Sequence, residues 1–104
     1  MRAISVALLG IGIIASSVAS ADDKTCSRAA KVAEKLMEVR QSGVSLEDAM
    51  EALVSSYPAS AHTYVRKLVM DAYSIPRYSS PEYQRRAIAE FRDNSHLVCL
   101  KAAP

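Results

Sequence analysis

Two cysteines, two histidines and one tyrosine–arginine cluster are the residues of this 104-residue chain with chemistry to offer. Cys26 and Cys99 stand far apart in sequence and form no Cys-x-x-Cys, so dithiol redox exchange is poorly served. His62 and His96 have no carboxylate, cysteine or second histidine at a metal-ligand spacing. None of the serines sits in a Gly-x-Ser-x-Gly turn. The carboxylates, from Glu34 and Glu38 through Asp71 to Glu90 and Asp93, fall mostly on the polar sides of helical patterns. None stands apart as an acid whose pKa an apolar cleft would raise. The inventory assigns no catalytic residue, no metal and no cofactor, and the chain reads as a binding protein rather than an enzyme.

The densest cluster is Tyr73-Ser74-Ile75-Pro76-Arg77-Tyr78. Proline lowers the entropy lost when a loop is ordered, and tyrosine and arginine are frequent anchors of protein contacts. Arg40 and Gln41, at the end of the first helical pattern, and Arg92, in the last, belong to the same candidate surface. Two readings of this cluster stand side by side. In one, the loop presents Arg77 and Tyr78 to a partner. In the other, Tyr73, Ile75 and Tyr78 cap the core and Arg77 pairs with a carboxylate.

The first 21 residues differ from the rest. Arg2 is followed by the apolar run Ile4–Ile14 and then by small residues ending Ala19-Ser20-Ala21. This is the layout of a signal peptide, with cleavage before Asp22 and an alternative site after Ala19. The apolar run is too short to span a bilayer, and Cys26 does not follow it directly, as a lipoprotein cysteine would. The expected product is a single domain, residues 22–104, in the periplasm or outside the cell, with no membrane span after cleavage. Export alters the reading of the cysteines. In an oxidising compartment Cys26 and Cys99 most simply pair, with two free thiols as the alternative. A domain this small gains much from such a closure. With 13 basic and 11 acidic side chains, charge is too balanced for a nucleic-acid binder.

Four amphipathic segments must carry these residues. The first, about 24–41, repeats Cys26, Ala29, Ala30, Ala33, Leu36, Met37 and Arg40 at helical spacing and stops at Gly43. Ser45, with Asp48 three residues on, opens the second, where Leu46, Ala49, Met50, Leu53 and Val54 form the apolar stripe. Tyr57-Pro58 ends it. The third, about 59–74, has the stripe Ala61, Tyr64, Val65, Leu68, Val69, Ala72 and Tyr73. Pro76 and Pro81 exclude a helix through the cluster, and Pro81 suits the first turn of a fourth helix capped by Ser79 or Ser80. There Tyr83, Ala87, Ile88 and Phe91 form the inner stripe, Val98 extends it, and Asn94-Ser95 is a point of fracture. No segment alternates as a strand would. The expected fold is all-α: a compact bundle of about four helices closed by one disulfide and preceded by a signal peptide.

Cys26, Arg40-Gln41-Ser42-Gly43-Val44-Ser45, Asp71-Ala72-Tyr73-Ser74-Ile75-Pro76-Arg77-Tyr78-Ser79, Glu90-Phe91-Arg92 and Cys99 together resemble a family of small exported, disulfide-containing bacterial proteins associated with prophages. Ala72-Tyr73-x-x-Pro76-Arg77-Tyr78 is the most specific part. The resemblance implies a helical fold with one bridge and carries no catalytic residue. The functional expectation is an interaction module that binds an envelope protein or cell-wall component as an inhibitor or modulator. A periplasmic stress chaperone is the alternative.

Overall fold

The computed structural model describes residues 23–102, so the leader expected over residues 1–21 lies outside the described residues. Helix α1 covers residues 23–41. Its buried side chains are Cys26, Ala30, Ala33, Leu36, Met37 and Gln41, spaced by three, four or one as on a single helical face. The first half of that face is built from small residues, so neighbouring helices approach closely. The helix ends where Gly43 takes φ 93°, a left-handed conformation that costs a side-chain-bearing residue about 1–2 kcal/mol.

Helix α2, Leu46–Ser55, begins at the cap expected for it: the Ser45 hydroxyl accepts from the Asp48 amide at 3.1 Å. After Pro58, a single 3₁₀ turn at Ala59–Ala61 leads into α3, His62–Tyr73. Two bonds set the register of this hairpin. The Tyr73 hydroxyl donates to the Val44 carbonyl at 2.7 Å, and the His62 ring Nε2 lies 2.8 Å from the Tyr57 carbonyl oxygen. α2 and α3 are therefore antiparallel and tied at both ends.

Residues 74–80 are irregular, as the two prolines require. Pro81 opens α4, Pro81–Ala102, and the Ser80 carbonyl accepts its first helical bond, from Gln84, at 2.9 Å. All the described secondary structure is helical, with no strand among residues 23–102. The fully buried centre is Leu36, Met37, Val65 and Val69, flanked by Phe91. Cys26 and Cys99 form the disulfide, with Cα atoms 5.5 Å apart. It joins the start of α1 to the end of α4, while Gln41 at the end of α1 bonds the loop leading into α4, so those two helices run antiparallel.

Several stripe residues lie outside the core: Leu46, Tyr64, Tyr83 and Val98 are all exposed. Asn94-Ser95 does not break α4, which runs on to Ala102. On α4 the narrow buried face accounts for the exposure of Tyr83 and Val98. α4 buries only Ala87, Phe91 and Ser95, a row at i, i+4 and i+8. The half-buried Ile88 packs against the core beside this row, and most of the remaining helix surface is open. Periodicity marks the wider apolar arc, but the arc is covered only where a second neighbour exists. Ser95 is small and lies on the buried row, so the helix needs no kink to accommodate it.

Gly43 has a second constraint. A Cβ built on it would meet the Arg77 guanidinium, with Cζ at 3.1 Å and Nε at 3.2 Å. Gly43→Ala combines left-handed strain with displacement of Arg77, and we expect it to cost about 1–2 kcal/mol. A lower denaturation midpoint with an unchanged m value is the expected result. An unchanged midpoint would mean that the turn can adopt another conformation without loss.

Candidate functional site

The tyrosine–arginine cluster is held in place by α1, more than 30 residues away in sequence. Gln41 is only 3% exposed, and a buried amide must find partners. Its Nε2 donates to the Pro76 carbonyl at 2.9 Å and lies 3.4 Å from the Met37 sulfur. Its Oε1 accepts from the Tyr78 amide at 2.9 Å. The side-chain amide thus pairs with the loop much as a neighbouring peptide unit would. Pro76 has no N–H to offer, so the loop depends on such outside partners.

The two arginines complete the anchorage. Arg40 Nε donates to the Ile75 carbonyl at 3.0 Å, and its guanidinium lies 5.0 Å over the Tyr73 ring. Arg77 Nε donates to the Gln41 carbonyl at 3.0 Å. This carbonyl is among those left open at the end of α1, where a cation is favoured. Gln84 Nε2 closes the far side by donating to the Tyr78 carbonyl. The carbonyls of Ile75, Pro76 and Tyr78 and the Tyr78 amide are therefore all engaged by side chains. Burial raises the pKa of the Tyr73 phenol, a shift the Arg40 charge opposes and Asp48 reinforces.

Of the seven residues proposed for a contact surface, Arg40, Gln41, Tyr73, Pro76, Arg77 and Tyr78 meet in this corner. Arg92 does not; it is exposed further along α4. Arg77 pairs with a backbone carbonyl, not with the carboxylate that the core-cap reading gave it. Tyr73 and Ile75 pack against the core cluster, while Tyr78 stays 37% exposed.

Two residues of α4 join Tyr78 on the outer side: Arg86, one of the α4 arginines whose charge the sequence adds to this surface, and Tyr83, which the sequence assigns to the inner stripe. The Tyr83 ring lies 6.1 Å from that of Tyr78, tilted by 47°. The Arg86 guanidinium lies 5.3 Å over the Tyr83 ring and 3.7 Å from Glu82. Together they rim a concavity of about 530 Å³ floored by Ile75, Ala87 and Phe91. The spacing of Tyr83 and Arg86 on one helix was the available signal, but Tyr83 also fits the apolar stripe.

The arrangement offers aromatic faces, a guanidinium edge and an apolar floor. It suits the recognition of a side chain or ring that is partly apolar and partly polar. No group of three His, Cys, Asp or Glu side chains is placed to hold a metal ion among the described residues. No helix there is long and apolar enough to cross a membrane. Compared with family models, curated proteins and solved structures, the chain matches none, so its function rests on this geometry.

Proposed function

We propose that the protein is a small binding module of the bacterial envelope whose contact surface is the Tyr78–Tyr83–Arg86 corner. The observation that carries this reading is the anchorage of the loop. Ordering a loop on binding ordinarily costs affinity, and a loop already held in place avoids most of that cost. Here Arg40, Gln41 and Gln84 hold the backbone, while the rings of Tyr78 and Tyr83 remain exposed beside a concavity. Large aromatic side chains on a rigid base, next to a guanidinium, have the composition of an interface hot spot.

The partner would be an envelope protein or cell-wall component, and the module would act on it by occupation, as an inhibitor or modulator does. The Cys26–Cys99 disulfide fits a compartment outside the cytoplasm. Capture from an envelope extract tests the proposal. Wild-type protein should retain a partner that a Tyr78→Ala, Tyr83→Ala double variant loses, while both keep the same helical spectrum. Equal recovery by the two proteins would remove the corner as the contact site.

A further inference from the structure

The groove between α2 and α3 lies apart from the tyrosine corner and has an uneven distribution of charge. Its volume is about 790 Å³, and its floor is Leu46, Met50 and Val54. These residues follow one another at i, i+4 and i+8, and Leu46 is 46% exposed. Along the α2 rim stand Glu47 and Glu51, again four residues apart. Along the α3 rim stands Arg66, one turn beyond His62. The two ion pairs among the described residues, Lys67–Asp71 and Glu82–Arg86, involve none of Glu47, Glu51 or Arg66. The groove is thus an apolar strip between an acidic edge and a basic edge, and no ion pair among the described residues neutralises either edge.

The hairpin register places these charges at matching heights. Val44 lies beside Tyr73 and Tyr57 beside His62. Counting inwards along antiparallel helices from the Tyr73 tie brings Glu51 opposite Arg66 and Glu47 opposite Met70, and counting from the His62 tie brings them opposite Leu68 and Ala72, so Glu51 and Arg66 stand within two residues of one height. Met70 is itself exposed.

We propose that this face binds a second copy of the same chain. In a two-fold pairing the same surface serves both copies, so each patch must be complementary to itself. A two-fold axis running along the groove meets that condition. It keeps heights unchanged and exchanges the two edges. Glu51 of each copy then faces Arg66 of the other, and the apolar strips cover one another. A two-fold axis across the groove would instead set acid against acid and base against base. The charge pattern therefore selects the parallel arrangement, in which α2 of each copy lies on α3 of its partner. Two short helices per copy give a contact at the small end of specific interfaces, so the pairing is a reversible one.

Sedimentation equilibrium on the protein at low and high salt tests the inference. A monomer–dimer equilibrium is expected, weakening as salt screens the rim charges. Glu51→Arg and Arg66→Glu should each weaken self-association by about tenfold or more, since like charges then meet twice per dimer. Mixing the two variants should restore pairing. The arginine introduced at position 51 of one chain then faces the glutamate introduced at position 66 of the other, and the unaltered Arg66 of the first faces the unaltered Glu51 of the second. The doubly exchanged chain should pair with itself. Both substitutions lie on exposed positions, and an unchanged helical spectrum checks that the variants fold. A wild-type protein that stays monomeric at all concentrations overturns the proposal and leaves the groove to another occupant. A dimer unaffected by either single exchange, or failure of both the mixture and the double exchange to restore pairing, overturns it as well.

Discussion

Reducing Cys26–Cys99, or replacing both cysteines by serine, is expected to release the C-terminal half of α4 before it unfolds the rest of the domain. Beyond Phe91 this helix buries only Ser95, while Leu97, Val98 and Leu100 are 49%, 59% and 40% exposed. Packing therefore holds the first half of α4, and the disulfide holds the second. The bridge spans a sequence separation of 73 residues. A closed loop of that order gives a chain-entropy contribution of about 4 kcal/mol, a figure that residual structure in the unfolded chain reduces. Small domains have total stabilities near the lower end of about 5–15 kcal/mol, so a loss of this order lowers the melting temperature severely. Amide hydrogen exchange separates the local effect from the global one. In the reduced protein, residues 94–102 should lose protection while residues 81–91 retain most of theirs. Equal protection along the whole helix would show that packing alone suffices to hold it.

The second large effect is expected at Gln41. Gln41→Ala removes the partner of both the Pro76 carbonyl and the Tyr78 amide, and Pro76 has no N–H with which to reorganise. Leaving two partly buried backbone groups unsatisfied costs about 2–4 kcal/mol in all. The loss should appear as a lower denaturation midpoint and as faster exchange at Tyr78. Gln41→Glu sharpens the test. An ionised carboxylate cannot donate to the Pro76 carbonyl, whereas a protonated one can. Burial and the facing Pro76 carbonyl disfavour the charged form and raise the folded-state pKa of the new carboxyl, and the Arg40 and Arg77 charges oppose that rise. The sign follows: the variant is most stable below the unfolded pKa of about 4.3 and loses stability as pH rises from there towards the folded pKa. A Gln41→Ala protein as stable as wild type would mean that water replaces the amide without loss, and that the loop is not anchored as described.

The helix boundaries were legible because they rest on local chemistry. Gly43, Ser45, Pro58 and Pro81 each act within a turn of the helix they end or begin, and the structure finds them there. The Cys26–Cys99 pair was legible for a different reason: a chain with two cysteines has one intramolecular pairing to make. Gln41 was not legible in its true role. It falls one helical turn after Met37 and continues the buried face, yet a polar residue at such a position reads as the edge of a stripe. Its partners are 35 and 37 residues away, and no spacing within α1 announces them. Tyr83 shows the opposite failure. It obeys the apolar period of α4 but lies off the row Ala87, Phe91 and Ser95 that the fold buries, and is 51% exposed.

The antiparallel pairing of α1 and α4 also gives the molecule two poles. Cys26 and Cys99 mark one; Gln41 and the loop mark the other, about 22 Å away by the rise of a helix over residues 26–41. Both ends of the described chain, Asp23 and Ala102, sit at the disulfide pole. A tag, a linker or a surface attachment at either end would therefore hold the protein by its base and leave the tyrosine corner facing outward. Protein immobilised through either end of the described chain is thus well suited to partner capture, with that corner left unobstructed.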